Sequence, residues 1–151
     1  MASGIHHVEM DLPISVIWNF VKDFDHWAPL LPGYVEHWKL DSQKSIWKLQ
    51  GEIGKVRKQI SVQVELTEVQ APTFIAFSLS VIDYPCSGQG YFTAAPITDR
   101  KTKITGSLEI SAKGMMGPMM NSVLKAKVPK LGREFTERVA KEIAQRQPLF
   151  V

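Results

Sequence analysis

The sequence is poor in the residues that most often carry chemistry, with one cysteine, Cys86, and four histidines, His6, His7, His26 and His37. A lone Cys86 makes no internal disulfide, so the chain is expected in a reducing compartment, with the cytoplasm as the default. Long apolar runs are also missing. The most hydrophobic stretch, FIAFSLSVI at 74–82, is far shorter than the roughly 20 residues a bilayer-spanning helix needs, which excludes a helical integral membrane protein. The opening MASGIHHVEMDLP has no basic segment followed by an apolar one, so no secretory signal is expected. No repeat, low-complexity tract or Gly/Ser linker divides the chain. A composition of 44% hydrophobic and 22% charged residues excludes collagen-like, coiled-coil and disordered classes.

Catalytic and metal-binding signatures are absent as well. On a strand, His6 and His7 point to opposite faces and cannot hold one metal together. None of the histidines falls in an HExxH spacing, and Cys86 has no sequence neighbour that would activate it, so no metal, cofactor or catalytic residue is assigned. The SGQGY segment at 87–91 has the glycines of a nucleotide loop but no helix after it, and its glycines are better read as relief of crowding in a bent strand. Charge is unevenly spread. Residues 113–151 carry eight Lys/Arg against three Glu, while residues 1–112 carry ten basic and twelve acidic groups. A solvated helix face accounts for such a basic segment, and so does a surface that meets anionic lipid or an acidic partner. No nucleic-acid motif accompanies it, so nucleic acid is not expected as a partner.

What remains is periodicity. The 151 residues suffice for a single domain, 1–151, which buries about 70% of the surface its unfolded chain exposes. Residues 5–12 alternate, with Val8, Met10 and Leu12 on one face of a strand. Pro13 then opens a helical spacing at Ile14, Ile17, Trp18, Val21 and Phe24, and a second short helix covers DHWAPLL before Pro32-Gly33. The middle is all strand: Ile60, Val62, Val64 and Leu66 alternate with polar residues, as do Ile75, Phe77, Leu79 and Val81, and then Ile104, Leu108 and Ile110. Weaker strands cover 34–40, 45–53 and 88–95. Turns are expected at Asp41-Ser42, Gly51–Gly54, Ala71-Pro72, Tyr84-Pro85 and Asp99-Arg100. After Gly117-Pro118, Met120, Leu124, Val128, Leu131, Phe135, Val139 and Ile143 mark a helix of roughly 43 Å. Pro129 should kink it, and Gly132 should let it approach a sheet closely. One wet and one dry face per strand means an antiparallel sheet. The expected fold is α+β: seven antiparallel strands curved around a long C-terminal helix, with two short helices after the first strand.

The opening LPISVIWNFVKDFDHWAPLLPG, with Pro13, Trp18, Asp23, Trp27 and Pro32, resembles the start of the SRPBCC superfamily, the START and birch-pollen-allergen-like helix-grip domains. The LPG at 31–33, the segment GEIGKVRKQISVQVELTEVQAP and the long final helix are similar to its carbon monoxide dehydrogenase G-like branch. The chain is expected to stop after that helix, without the extension, and so without the membrane anchor, of some members of that branch. The resemblance implies an elongated apolar cavity between sheet and helix. It also implies binding or carriage of a hydrophobic small molecule, lipid- or quinone-like, with a possible accessory role to an oxidoreductase. An aromatase or polyketide-cyclase-type enzyme working by acid–base catalysis is the alternative. It would need Tyr91, His37 or another polar group inside the cavity.

The candidate cavity residues follow from that arrangement. Met115, Met116, Met119 and Met120 crowd the start of the long helix, and soft Met side chains suit a flexible cavity mouth as well as ordinary core. Of these, Met116, Met119 and Met120 are taken as cavity residues, with Leu124 one turn on. Trp27, Leu31, Trp38, Trp47 and Leu49 are candidates from the segment before and within the early strands. Phe77 and Leu79 come from the dry face of a later strand. Tyr91 and Phe92 are both candidates, because the parity of their strand is open. The expected partners are a hydrophobic small molecule and, through the basic helix, a membrane surface or another protein.

Overall fold

A computed structural model describes residues 2–53, 56–82 and 84–146, and only the backbone at 24, 52, 53, 56 and 57. Seven strands form one antiparallel sheet: β1 (Ala2–Met10), β2 (Tyr34–Lys39), β3 (Lys44–Ile53), β4 (Val56–Gln70), β5 (Phe74–Val81), β6 (Cys86–Thr98) and β7 (Lys101–Ala112). The helices are α1 (Ile14–Val21), α2 (Phe24–Trp27), which runs into a 3-10 turn at Ala28–Leu30, and α3 (Gly117–Arg146). The expected α+β helix-grip architecture is the one observed. Gly54 of the expected Gly51–Gly54 turn and the Phe24 side chain of the helical stripe lie outside what is described.

The spatial order is β1-β7-β6-β5-β4-β3-β2, so the two strands first in sequence lie at opposite edges. The segment from α1 to the 3-10 turn spans from one edge to the other. Irregular register between Tyr34 and Glu36, Leu66 and Glu68, and Pro96 and Thr98 marks bulges, which bend and twist strands and so help the sheet curve. β1 differs from expectation at both ends. It begins at Ala2, opposite Ile110, and stops at Met10. Leu12 has left the ladder, and its carbonyl accepts a hydrogen bond from the Thr102 hydroxyl at 2.8 Å.

α3 packs on β1 and β7, at one side of the sheet. Close approach there is carried by Gly4: a Cβ at this position would stand 2.9 Å from the Pro129 Cα. Gly132, expected to have that role, leaves room, since its added Cβ would meet nothing nearer than the Gly4 oxygen at 3.9 Å. Pro129 lies inside the helix, as the sequence indicated. The start of α3 is tied to the end of β7 by Asn121, whose side-chain amide accepts from the Ala112 N–H at 2.8 Å and donates to the Ala112 carbonyl at 2.9 Å. At the far side, Arg138 donates to the Leu30 carbonyl at 3.4 Å. Ile17, Phe20 and Val21 of α1, Val62 and Val64 of β4, Ile75, Ile104, Val139 and Ile143 join in one hydrophobic core.

Candidate functional site

Because α3 rests on the β1–β7 side and α1 reaches β6, the face of β3–β5 is left without a helix directly on it among the described residues. A cavity of about 540 Å³ fills that space, lined almost wholly by apolar atoms. It lies within the range of known small-molecule pockets, roughly 300–1,000 Å³.

Its inner end is aromatic. Trp27 is buried at 7% exposure, and its indole N–H donates to the Val21 carbonyl at 2.8 Å. The ring meets Trp47 edge-on at 5.2 Å and lies 6.0 Å from Phe77 and 6.1 Å from Phe135. These four rings come from α2, β3, β5 and α3, so the cluster joins both walls of the cavity. Edge and tilted contacts at such distances are the favoured arrangements for aromatic pairs. Phe77 also lies over Gly90 of the neighbouring strand, where a Cβ would stand 2.5 Å from its ring. The crowding read from the SGQGY glycines is therefore present: at Gly90 it comes from the Phe77 ring and the Ser107 carbonyl, and at Gly88 from the Glu109 carbonyl of β7.

The other candidates divide cleanly. Leu31, Leu49, Leu79, Phe92, Met116, Met120 and Leu124 also line the cavity. Tyr91 borders it too, but its ring stacks on Phe74 at 6.0 Å. Ile75, Phe77, Leu79 and Val81 turn inward on β5, so Phe74 belongs to the opposite face, and the Tyr91 hydroxyl goes there with it. The open parity is thereby resolved in favour of Phe92.

Two candidates are corrected. Trp38 is 46% exposed and pairs with Ile46, whereas the inward residue of β3 at that point is Trp47. Period two therefore places Trp38 on the outer face. Met119, 58% exposed, is absent from the cavity lining, whereas Met120 lines it, because adjacent residues on a helix point to different faces. Met116, just before α3, borders the cavity while itself 59% exposed, and Met115 is fully exposed.

Sequence reasoning missed the polar cluster beside this site. The bulge between Tyr34 and Glu36 breaks the alternation and brings Tyr34 and His37, three residues apart, together. The Tyr34 hydroxyl is 2.6 Å from His37 Nδ1, and His37 Nε2 is 2.7 Å from the Asp25 carboxylate. Since a carboxylate only accepts, His37 Nε2 carries a proton and donates it to Asp25. Lys39 reaches Asp23 at 2.9 Å and Asp25 at 3.1 Å. The His37 hydrogen bond holds the Asp25 carboxyl below its ordinary pKa, and Lys39 does the same for Asp23. Burial pushes the Tyr34 hydroxyl up. None of these five side chains lines the cavity, and they pin the edge strand β2 to α2.

The remaining histidines have structural contacts. His26 donates from Nδ1 to the Phe20 carbonyl at 2.7 Å and stacks on the Phe20 ring, and His7 is 2.8 Å from the Thr105 hydroxyl. His6 meets Glu137 of α3 at 3.1 Å. Cys86 is half-buried at one end of the cavity, and burial pushes its thiol up, away from nucleophilic reactivity. Among the described residues no three of His, Cys, Asp and Glu converge as metal ligands, and no helix is long and apolar enough to cross a membrane.

A family model matches residues 1–147, nearly the whole chain. Solved structures match over the same extent. A START superfamily protein from Mycobacterium smegmatis superposes with a TM-score of 0.73 at 15% identity, covering 97% of this chain and 100% of that one. The chain belongs to the SRPBCC superfamily of START-like helix-grip proteins. A conserved protein from Geobacillus kaustophilus shares this helix-grip fold with a TM-score of 0.74 at 19% identity, over 95% of both chains. An aromatase/cyclase from a Streptomyces species matches with a TM-score of 0.55 at 15% identity, over 95% of this chain and 86% of that one. No curated protein matches the sequence.

Proposed function

We propose that this helix-grip protein binds and carries an apolar small molecule, lipid- or quinone-like, in the cavity between the sheet and α3. The observation that supports this most is the cavity itself, about 540 Å³ of carbon-lined space in a chain of 151 residues. Interiors are normally packed to the density of organic crystals, so an unfilled apolar volume of this size is costly to keep unless a ligand completes the packing. Leu31, Leu49, Phe77, Leu79, Phe92 and Leu124 would contact the apolar body, with the aromatic cluster at its inner end. Met116 and Met120 would adapt at the mouth. An accessory role to an oxidoreductase rests on the likeness of the LPG and GEIGKVRKQISVQVELTEVQAP segments to the carbon monoxide dehydrogenase G-like branch.

An aromatase-type activity, suggested by the Streptomyces likeness, is the weaker reading. Acid–base catalysis needs a titratable group within hydrogen-bond reach of the reacting atom. Tyr91 turns its hydroxyl to the far face, and His37 is engaged by Tyr34 and Asp25 outside the cavity. The test is titration with the uncharged fluorophore N-phenyl-1-naphthylamine. Carriage predicts saturable enhancement at one site per chain, displaced by long-chain apolar compounds. No enhancement, or an enhancement that none of them displaces, would overturn it.

A further inference from the structure

The lip of the cavity has a polarity of its own. Four lysines, Lys58, Lys113, Lys127 and Lys130, border the opening, and among the described residues the sole carboxylate there is Glu134. All five are exposed, so their charges meet water at the mouth while the interior stays apolar. They come from separate parts of the cavity lining: Lys113 follows β7, Lys127 and Lys130 lie on α3 with Glu134, and Lys58 lies on β4. Lys58 is held in place, its ammonium 4.1 Å above the Tyr84 ring, itself a lip residue. Among the described residues neither Lys113 nor Lys130 has an ion-pair partner. An apolar shaft bordered by four ammoniums against one described carboxylate sorts amphiphiles by their heads.

We infer that the preferred ligand is an anionic amphiphile, its tail in the cavity and its carboxylate or phosphate among these lysines. This rests on the carriage reading and narrows it. A neutral head would gain nothing from the lysines, and a cationic head would be repelled. Exposed charges act through water, so the preference is modest, about tenfold over the neutral head at low salt, and it fades as ionic strength rises.

The experiment displaces N-phenyl-1-naphthylamine with three ligands of one tail, dodecanoate, dodecanol and dodecylammonium, below their micelle concentrations. The expected order is dodecanoate, then dodecanol, then dodecylammonium, with the first gap closing in about 0.5 M NaCl. In the triple variant Lys58→Gln with Lys113→Gln and Lys130→Gln, checked for native circular dichroism, the dodecanoate-to-dodecanol ratio should fall toward one. Dodecanol bound as well as dodecanoate, or a ratio unmoved by salt or by the variant, overturns the inference and leaves the cavity reading standing. If the fluorophore binds but none of the three displaces it, the carriage reading itself is overturned.

Discussion

Trp27 is the residue on which the inner end of the cavity depends, and truncating it should be expensive in a calculable way. Its ring is buried, meets the rings of Trp47, Phe77 and Phe135 among the described residues, and donates a hydrogen bond to the Val21 carbonyl at 2.8 Å. Large aromatic-to-alanine changes in cores cost about 3–5 kcal/mol. Here one side of the ring already borders open space, so contacts are lost on the protein side alone, and Trp27→Ala should cost nearer 3 than 5 kcal/mol, roughly. For a chain of this length that lowers Tm by about 6–12 °C. Trp27→Phe keeps most of the ring contacts and loses the indole hydrogen bond, at about 1 kcal/mol. Urea unfolding followed by circular dichroism gives both values, and Trp18, Trp38 and Trp47 remain as fluorescence reporters. A Trp27→Ala cost below about 1 kcal/mol would refute the placement of this ring between both walls.

The two methionines that differ in orientation should differ in effect. Met120→Asp puts a carboxylate on the apolar lining and should weaken fluorophore uptake at least about tenfold, whereas Met119→Asp, in solvent, should change it less than about twofold. Equal effects would contradict the assigned faces. The Asp23 and Asp25 carboxyls titrate lower folded than unfolded, so their contribution is present above the ordinary carboxylate pKa and is lost as pH falls through the lowered folded values. Asp25→Asn should therefore flatten the acid side of the urea-midpoint profile, and an unchanged slope would remove the His37–Asp25–Lys39 cluster as its cause. The half-buried Cys86 thiol should react slowly with an aromatic disulfide reagent and more slowly with dodecanol bound, and a rate indifferent to ligand would place it away from the occupied volume. Gly4→Ala forces a Cβ against the Pro129 backbone and should destabilise by about 1–3 kcal/mol, read by thermal unfolding.

The fold was legible wherever one face of an element is dry. Ile60, Val62, Val64 and Leu66 announce β4, and the stripe from Met120 to Ile143 announces α3, because burial against a single partner imposes a period on the sequence. Much of the cavity lining was legible for the same reason: once a strand's dry face is known, Phe77 and Leu79 follow. What period alone does not carry is phase at an irregularity. The bulge near Tyr34 hid the pairing of Tyr34 with His37, and weak alternation in β6 left Tyr91 and Phe92 undecided until the Phe74 stacking set the phase. Trp38 went astray because a large aromatic on an edge strand looks the same from either face. Gly4, in a strand of otherwise ordinary appearance, gave no sign that a helix rests on it. That contact joins residues far apart in sequence.

Native mass spectrometry of the purified protein, before and after incubation with a lipid extract, tests the central claim most directly. Carriage predicts a discrete adduct, one molecule per chain, that dissociates on activation and proves on extraction to be a long-chain apolar compound. A bare chain mass in both samples, from protein with native circular dichroism, would contradict it and leave the cavity as an unoccupied feature of the fold.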